Sequence, residues 1–357
     1  MIYRAIGIMS GSSLDGLDIA FTEFTETGGK WAYEILYADC IEYSKEWEES
    51  LRNTVQLSAL DYQLLHTAYG HYIGQQINAF IEKYGLEHKV NLIASHGHTT
   101  FHLPQQKMTA QLGDGAAIAA ETGLNVVSDL RSLDVALGGQ GAPIVPIGEK
   151  LLFAGYDYFV NIGGIANISI NDNCKCIAYD VCAANRVLNM LAAEKGVQYD
   201  DGGKLAATGN VNEYLLGELD SLDYYCKPYP KSLANSFGVD IVYPIIKAAG
   251  ISVQDGLRTY AEHIALQIKN AVAANEQTKK MLVTGGGALN TFLTERLKAL
   301  LAEKNIEVVF PGKKTIQYKE AAIMALIGIL RWREEENVLA SVTGASKGSI
   351  GGALWMG

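Results

Sequence analysis

The chain has 357 residues, 48% of them hydrophobic and 19% charged, with a formal net charge of −10. That length exceeds one ordinary core and predicts two lobes, while the composition is that of a well-packed globular protein. The acidic balance excludes non-specific binding to nucleic acid or an anionic membrane, which requires a basic surface. A nucleotide polyphosphate stays open, because backbone amides and a divalent cation carry its charge locally. No window reaches about 18 uninterrupted apolar residues, and "MIYRAIGIMSG" enters a strand at once. Neither a secretory signal nor a membrane span is expected, and a cytoplasmic location is.

The N-terminal part reads as three strands, "IYRAIGIM", "LDIAFTEF" and "WAYEILYADCIEY", joined by a Ser-rich turn and by "TETGGK". The turn, Ser10 to Asp15 followed by Gly16, is longer than the roughly two residues of a tight hairpin. Its small residues allow close backbone approach, its hydroxyls donate, and its carboxylates can hold a hydrated cation, as a nucleotide's phosphates require. It reads equally as a hairpin loop whose serines satisfy their own backbone. Helices follow at about 46–56 and 62–84. "VNLIASHGHTTFH" reads as a short buried strand running into a polar loop, "GDGAAIAAETG" as a helix ended by Gly123, and "LNVVSDL" as the next strand. "DVALGGQGAPIVP", Asp134 to Pro146, is rich in glycine and proline and is the expected hinge between lobes.

The pattern then restarts. "YDYFVNIGGIANISIND" is again strand, glycine turn, strand; "CKCIAYDV" supplies a third strand, and a helix follows from about 184 to 195. Two antiparallel three-stranded units, each with a small-residue turn after its first strand, make an internal duplication of architecture rather than of residues. A long helix near 253–274, the strand "KKMLVTGGG", the helix "LNTFLTERLKALLAEK", the strand "IEVVF" and the helix "YKEAAIMALIGILRWREEE" complete an α/β pattern. Cys40, Cys174, Cys176, Cys182 and Cys226 have no paired CxxC spacing and read as reduced thiols.

Three glycine turns follow apolar strands: Gly11–Gly16, Gly163–Gly164 and Gly285–Gly287. The last lies between a strand and a helix, where amide donors and the helix dipole favour a ligand. Neither a P-loop nor a complete GxGxxG is present. Two hairpin turns clasping phosphates, with a third glycine turn near the base, is the arrangement of actin-like and sugar-kinase-like ATPases. The blocks "MSGSSLDGLD" (Met9–Asp18), "SHGHTTFH" (Ser95–His102), "SDLRSLDVALGGQGAPIVP" (Ser128–Pro146) and "NIGGIANIS" (Asn161–Ser169) resemble the anhydro-N-acetylmuramic acid kinase family. So do "YPKS" (Tyr229–Ser232), "VTGGGALN" (Val283–Asn290), "KEAA" (Lys319–Ala322) and "VTGA" (Val342–Ala345), in the family's order and across essentially the whole chain.

The resemblance implies an α/β, two-lobed actin-like/sugar-kinase-like (ribonuclease H-like) fold, with a duplicated mixed β-sheet core and a cleft between lobes. Lobe I is expected at 1–137, with 338–357 packing back on it, and lobe II at 138–337. It also implies an ATP- and Mg²⁺-dependent homodimeric enzyme of peptidoglycan recycling. That enzyme opens 1,6-anhydro-N-acetylmuramic acid with water and phosphorylates O6, giving N-acetylmuramic acid 6-phosphate. Two other readings stand beside it: a related sugar kinase with a different substrate, and a low-turnover ATP-binding module that switches conformation. Retention of Asp180 argues against the module, which has no need of a water-activating base.

Under the resemblance, Gly11, Ser12, Ser13, Leu14, Asp15, Gly16, Leu17 and Asp18 hold the nucleotide together with Gly163, Gly164, Asn167, Gly285, Gly286 and Gly287. Asp180 in "YDVCAAN" matches the family's general base, and Glu320 is the second catalytic candidate. A strand-ending Asp that caps the helix near Ala184 is the alternative for Asp180. His96, Gly97, Arg131, Asp134 and Lys231 are expected on the sugar or phosphate. The alternatives are an ordinary surface ion pair for Arg131 and Asp134 and a stem covering apolar surface for Lys231. His96, His98 and His102 are read as sugar-facing rather than as a metal site, and no residue is assigned as a direct metal ligand. Val181, Cys182, Ala183 and Ala184 replace the family's Thr-Gly-Pro-Gly beside the base, which puts turnover or substrate in question.

Overall fold

The computed structural model describes every residue except Ser12, Ser13, Asp15, Asn173, Cys174, Pro230 and Asn235. The chain divides into two compact units, Met1–Ala154 with Tyr318–Gly357, and Gly155–Gln317. The segments 138–154 and 318–337, expected with the second lobe, therefore pack within the first unit.

In the first unit, strands β1 (Ile2–Ser10), β2 (Leu17–Thr27) and β3 (Lys30–Ile41) form an antiparallel meander. Strand β4 (Leu92–Leu103) pairs parallel to β1, and β6 (Val126–Ser128) parallel to β4. The central strands β1 and β2 are buried almost continuously, as strands covered on both faces must be, while the edge strand β3 is mostly exposed or half-exposed. One feature departs from the sequence reading. The segment after His98 is no loop: β4 runs on and turns back through β5 (Met108–Leu112) as an antiparallel hairpin. At the C-terminus, β12 (Ala353–Trp355) adds to β6 antiparallel.

Helices cover this sheet. Ser58 caps Ala59–Tyr84 by accepting the Asp61 amide, and Gly85 ends it in the left-handed region. In the last long helix, Ala321 to Leu330 are buried throughout, so this stretch lies in the core instead of showing one apolar stripe. It lies against β1 at Gly7, where any Cβ would sit 1.7 Å from the Ala321 carbonyl oxygen. That close approach fixes the placement of Glu320, one residue away.

The second unit repeats the strand order with different residues. Strands β7 (Tyr158–Ile162), β8 (Ile165–Asp172) and β9 (Lys175–Ala183) form the meander. Strand β10 (Lys279–Thr284) pairs parallel to β7, and β11 (Ile306–Val309) parallel to β10. The first sheet thus reads β3-β2-β1-β4-β6, extended by β12, and the second β9-β8-β7-β10-β11, each a meander beside two parallel strands. The expected duplication is present in the topology. The helix Val253–Asn270 packs against the β9 side of this core through residues such as Leu257, Tyr260 and Ile264.

Candidate active site

The first glycine turn leaves β1 at Ser10 and enters β2 at Leu17, which are register partners. Ser12, Ser13 and Asp15 lie outside the described residues. Leu14 is left-handed at φ 60°, and its amide donates to the Gly11 carbonyl at 3.3 Å. Leu17 is fully buried, so it offers a ligand only backbone, while Asp18 is half-buried beside it.

Beneath the turn runs a buried hydroxyl network. Ser10 Oγ lies 2.8 Å from Tyr43 Oη and 3.1 Å from His98 Nδ1, and the Tyr43 and Tyr69 hydroxyls are 2.6 Å apart. Burial pushes the Tyr43 phenol up to about 12 and the His98 imidazole down to about 4. His98 is therefore neutral at pH 7 and serves as a hydrogen-bond partner without charge. Nothing in the sequence signals this network, since Ser10 and His98 are 88 positions apart.

Arg131 organises a second cluster in the same unit. Its Nε donates to His96 Nε2 at 2.8 Å and one terminal nitrogen donates to the Gly141 carbonyl at 2.7 Å. His96 Nε2 is thus unprotonated, and Nδ1 donates to the Gly97 carbonyl at 2.8 Å. Burial, with Arg131 beside it, holds His96 down at about 3. Burial lowers Arg131 to about 10, opposed by the carboxylates of Glu320 and Asp134. His102 goes elsewhere, to Thr109 Oγ1 at 3.1 Å, so the three histidines have three separate partners.

Asp134 is not a surface ion pair. It is buried, and its carboxylate accepts from the Gly141 amide at 2.7 Å and from the Thr343 hydroxyl at 2.7 Å. The glycine-rich stretch read as a hinge lies inside the first unit and is held there by Asp134 and Arg131.

The second unit holds the remaining candidates. Thr284, Asn161, Asn167 and Asp180 are successive register partners across β10, β7, β8 and β9, forming a polar row over four strands. Asp180 Oδ2 accepts the Leu233 amide at 2.8 Å, and its own main-chain oxygen accepts the Tyr224 hydroxyl at 2.6 Å. The helix after β9 begins at Asn185 with Ala184 at its N-cap and no side-chain capping bond, so Asp180 is not a helix cap. Burial raises its pKa, and the Leu233 hydrogen bond offsets part of the rise. Lys231 points its ammonium over the Tyr224 ring at 4.7 Å and donates to the Tyr224 carbonyl at 3.3 Å, and burial lowers its pKa.

The second and third glycine turns meet around Asn185. The carbonyls of Gly163 and Gly164 accept the amides of Asn185 and Ala184 at 3.0 and 2.8 Å, and the Asn185 side chain donates to the Ile162 carbonyl at 2.9 Å. Gly285, at φ 81°, admits no side chain: a Cβ would lie 2.4 Å from Asn161 Oδ1. Gly286–Leu289 is a short 3-10 turn, and the helix starts only at Thr291, capped by Asn290. The glycines therefore precede the helix by a turn, where the sequence placed them at its start. Bare backbone at such a turn suits close approach by a phosphate or nucleoside.

The anhydro-N-acetylmuramic acid kinase family model matches residues 3–357. The chain belongs to that family. The relative from Mannheimia succiniciproducens is 34% identical over 97% of each chain. That from Photobacterium profundum is 33% identical over 99% of each, and that from Sulfurovum sp. is 34% identical over 99% of each. All three are named anhydro-N-acetylmuramic acid kinase. With the whole chain covered, the replacements at Val181–Ala184 are local departures inside a family member. Cys182, Ala183 and Ala184 are buried there, and burial raises the Cys182 thiol far above its ordinary range.

Proposed function

We propose that this chain is an ATP-dependent kinase that opens 1,6-anhydro-N-acetylmuramic acid with water and phosphorylates O6, giving N-acetylmuramic acid 6-phosphate in peptidoglycan recycling. Asp180 carries the reading: a family-matched carboxylate, half-buried, raised in pKa and engaged by a loop amide in place of a helix end. A raised pKa makes a carboxylate a better proton acceptor near neutral pH.

Asp180 takes a proton from water as the water oxygen bonds to the anomeric carbon. The bond from that carbon to O6 breaks, and O6 accepts the γ-phosphoryl group of ATP as the phosphorus bond to the β–γ bridging oxygen breaks and ADP leaves, so the departing O6 needs no separate acid. Asn167, the register partner of Asp180, and Asn161, one strand further along the row, are neutral residues and add no charge to it. Arg131, His96 and Gly97 hold the sugar in this reading. Asp134 acts on them by ordering the Gly141 loop, and Glu320 balances Arg131. Lys231 lies on the loop that closes over Asp180.

The turns at Gly11–Asp18, Gly163–Gly164 and Gly285–Gly287 would hold ATP, and the open space over Gly163 and Gly164, where a Cβ would meet no atom closer than 3.4 Å, fits that role. A divalent cation, when bound, neutralises phosphate charge during transfer. Asp18, half-buried at the start of β2, is the described carboxylate beside that turn that would hold its waters. A cytoplasmic homodimer completes the proposal. Among the described residues no helix is long and apolar enough to cross a membrane. A coupled ADP-release assay compares 1,6-anhydro-N-acetylmuramic acid with free N-acetylmuramic acid. Turnover of the anhydro sugar alone is expected; equal turnover of both, or of neither, overturns the assignment.

A further inference from the structure

Two tyrosine hydroxyls donate to main-chain oxygens at the strand end that carries Asp180. Tyr224 donates to the Asp180 oxygen at 2.6 Å, and Tyr260 to the Ala183 oxygen at 2.8 Å. They come from different helices, Asp223–Cys226 and Val253–Asn270. One imidazole adjoins Tyr260 and Tyr225, the residue after Tyr224. His263 stacks on the Tyr260 ring, with centroids 5.5 Å apart, and meets the Tyr225 ring edge-on at 5.1 Å. Its Nε2 lies 3.0 Å from the Tyr225 hydroxyl, and its Nδ1 lies 2.6 Å from Asp220 Oδ1, which also accepts from Gln267 at 2.8 Å.

The carboxylate at Nδ1 sets the tautomer: the neutral ring is protonated there, and Nε2 accepts from Tyr225. Tyr225 directly follows Tyr224, so holding its hydroxyl holds the backbone from which Tyr224 reaches Asp180. His263 is fully buried, with both ring nitrogens partnered. An apolar side chain of similar size would fill this place without the penalty of burying polar atoms. What it would not do is tie the Tyr225 hydroxyl to the Asp220 carboxylate in a fixed direction.

Resting on the reading of Asp180 as the base, we infer that Asp220, His263, Tyr225, Tyr224 and Tyr260 form a positioning brace that sets the placement of Asp180. None of them need touch substrate. Misplacing a reacting group by about 1 Å costs on the order of 100-fold in rate, so a brace one shell away has a kinetic consequence. The ionisable groups around Asp180 are Cys182 on its own strand, Tyr224 from the short helix, and Lys231, whose carbonyl accepts the Asp180 amide.

The test uses the full-length protein and three variants. Tyr224→Phe and Tyr225→Phe each remove one hydroxyl; His263→Phe keeps a ring but removes both hydrogen bonds. Steady-state kinetics with the anhydro sugar and ATP are paired with carboxyl ¹³C NMR titration of Asp180, its signal assigned through Asp180→Asn. Tyr224→Phe and His263→Phe are expected to lower kcat by about 10-fold, leave KM for ATP unchanged, and move the Asp180 titration. Should His263→Phe fail to fold, the two Tyr→Phe variants decide. Variants within twofold of wild-type kcat and with an unmoved titration overturn the brace, even if they melt earlier, because that pattern is packing alone. Wild-type protein inert on the anhydro sugar refutes the kinase reading instead; the titration needs no turnover and still decides the brace.

Discussion

Asn167 on β8 lies directly across the ladder from Asp180 on β9. Asp180 therefore stands at the end of a polar row, with its carboxylate against the Leu233 amide at 2.8 Å. An amide in its place would keep the shape and that hydrogen bond but could not take a proton. Asp180→Asn is expected to cut kcat by roughly 10²–10⁴-fold with ATP and sugar affinity retained. Steady-state kinetics and calorimetry check this; a variant above about a tenth of wild-type rate redirects the base assignment to Glu320.

The same carboxylate links activity and stability with opposite signs. Burial raises its pKa above that of the unfolded chain, so the folded state favours the neutral form. Its contribution to stability is greatest at low pH and is lost as pH rises through the raised pKa. Catalysis needs the ionised form, so kcat should fall on the acid side with a limb above the ordinary aspartate value of about 3.9. Urea unfolding of wild type and Asp180→Asn should show the wild type losing ground from acid to neutral pH.

His98 works in the other direction. Its imidazole is held down at about 4, so its contribution to stability is complete above the unfolded value of about 6.5 and is lost as pH falls toward 4. A glutamine can still hydrogen-bond Ser10 but does not titrate. His98→Gln should flatten the acid-side stability loss of the first unit between those two pH values, read by urea midpoints across that range. An unchanged slope would place the charge-sensitive group elsewhere.

At Gly285 a methyl group would meet Asn161 Oδ1 at 2.4 Å and the Ile162 carbonyl at 2.7 Å, with φ at 81°. Gly285→Ala must push the turn and the polar row apart. ATP affinity should fall by about 10-fold or more, the equivalent of roughly 1.4 kcal/mol. Equilibrium nucleotide binding measures it, and wild-type affinity would remove this turn from the ATP site.

Asp134→Ala strips the Gly141 amide and the Thr343 hydroxyl of one acceptor each. Buried donors left unpartnered cost about 1–3 kcal/mol each, so denaturant unfolding should show a loss on the order of 2–6 kcal/mol. KM for the sugar should rise as Arg131 loses the ordered Gly141 carbonyl. Asp134→Asn retains an acceptor and should lose less in both measurements.

The sequence alone determined the two-lobed α/β class, both meanders and the strand that each of the three glycine turns follows. Hydrophobic period, glycine and chain direction are local properties, and strands such as β1 and β7 announce themselves by apolar runs ending at small residues. Family motifs added Asp180 as the proposed base. Tertiary structure decided what those residues touch. It showed that Asp180 meets Leu233 instead of capping a helix, that the Asp134–Pro146 stretch is pinned within one unit, and that the segment after His98 is half of a hairpin. It also brought Thr343 to Asp134 across 209 positions and Ser10 to His98 across 88. Such pairs leave no local trace, because a buried hydroxyl or carboxylate is satisfied by whichever donor or acceptor the packed helices and sheets carry to it, however distant in the chain.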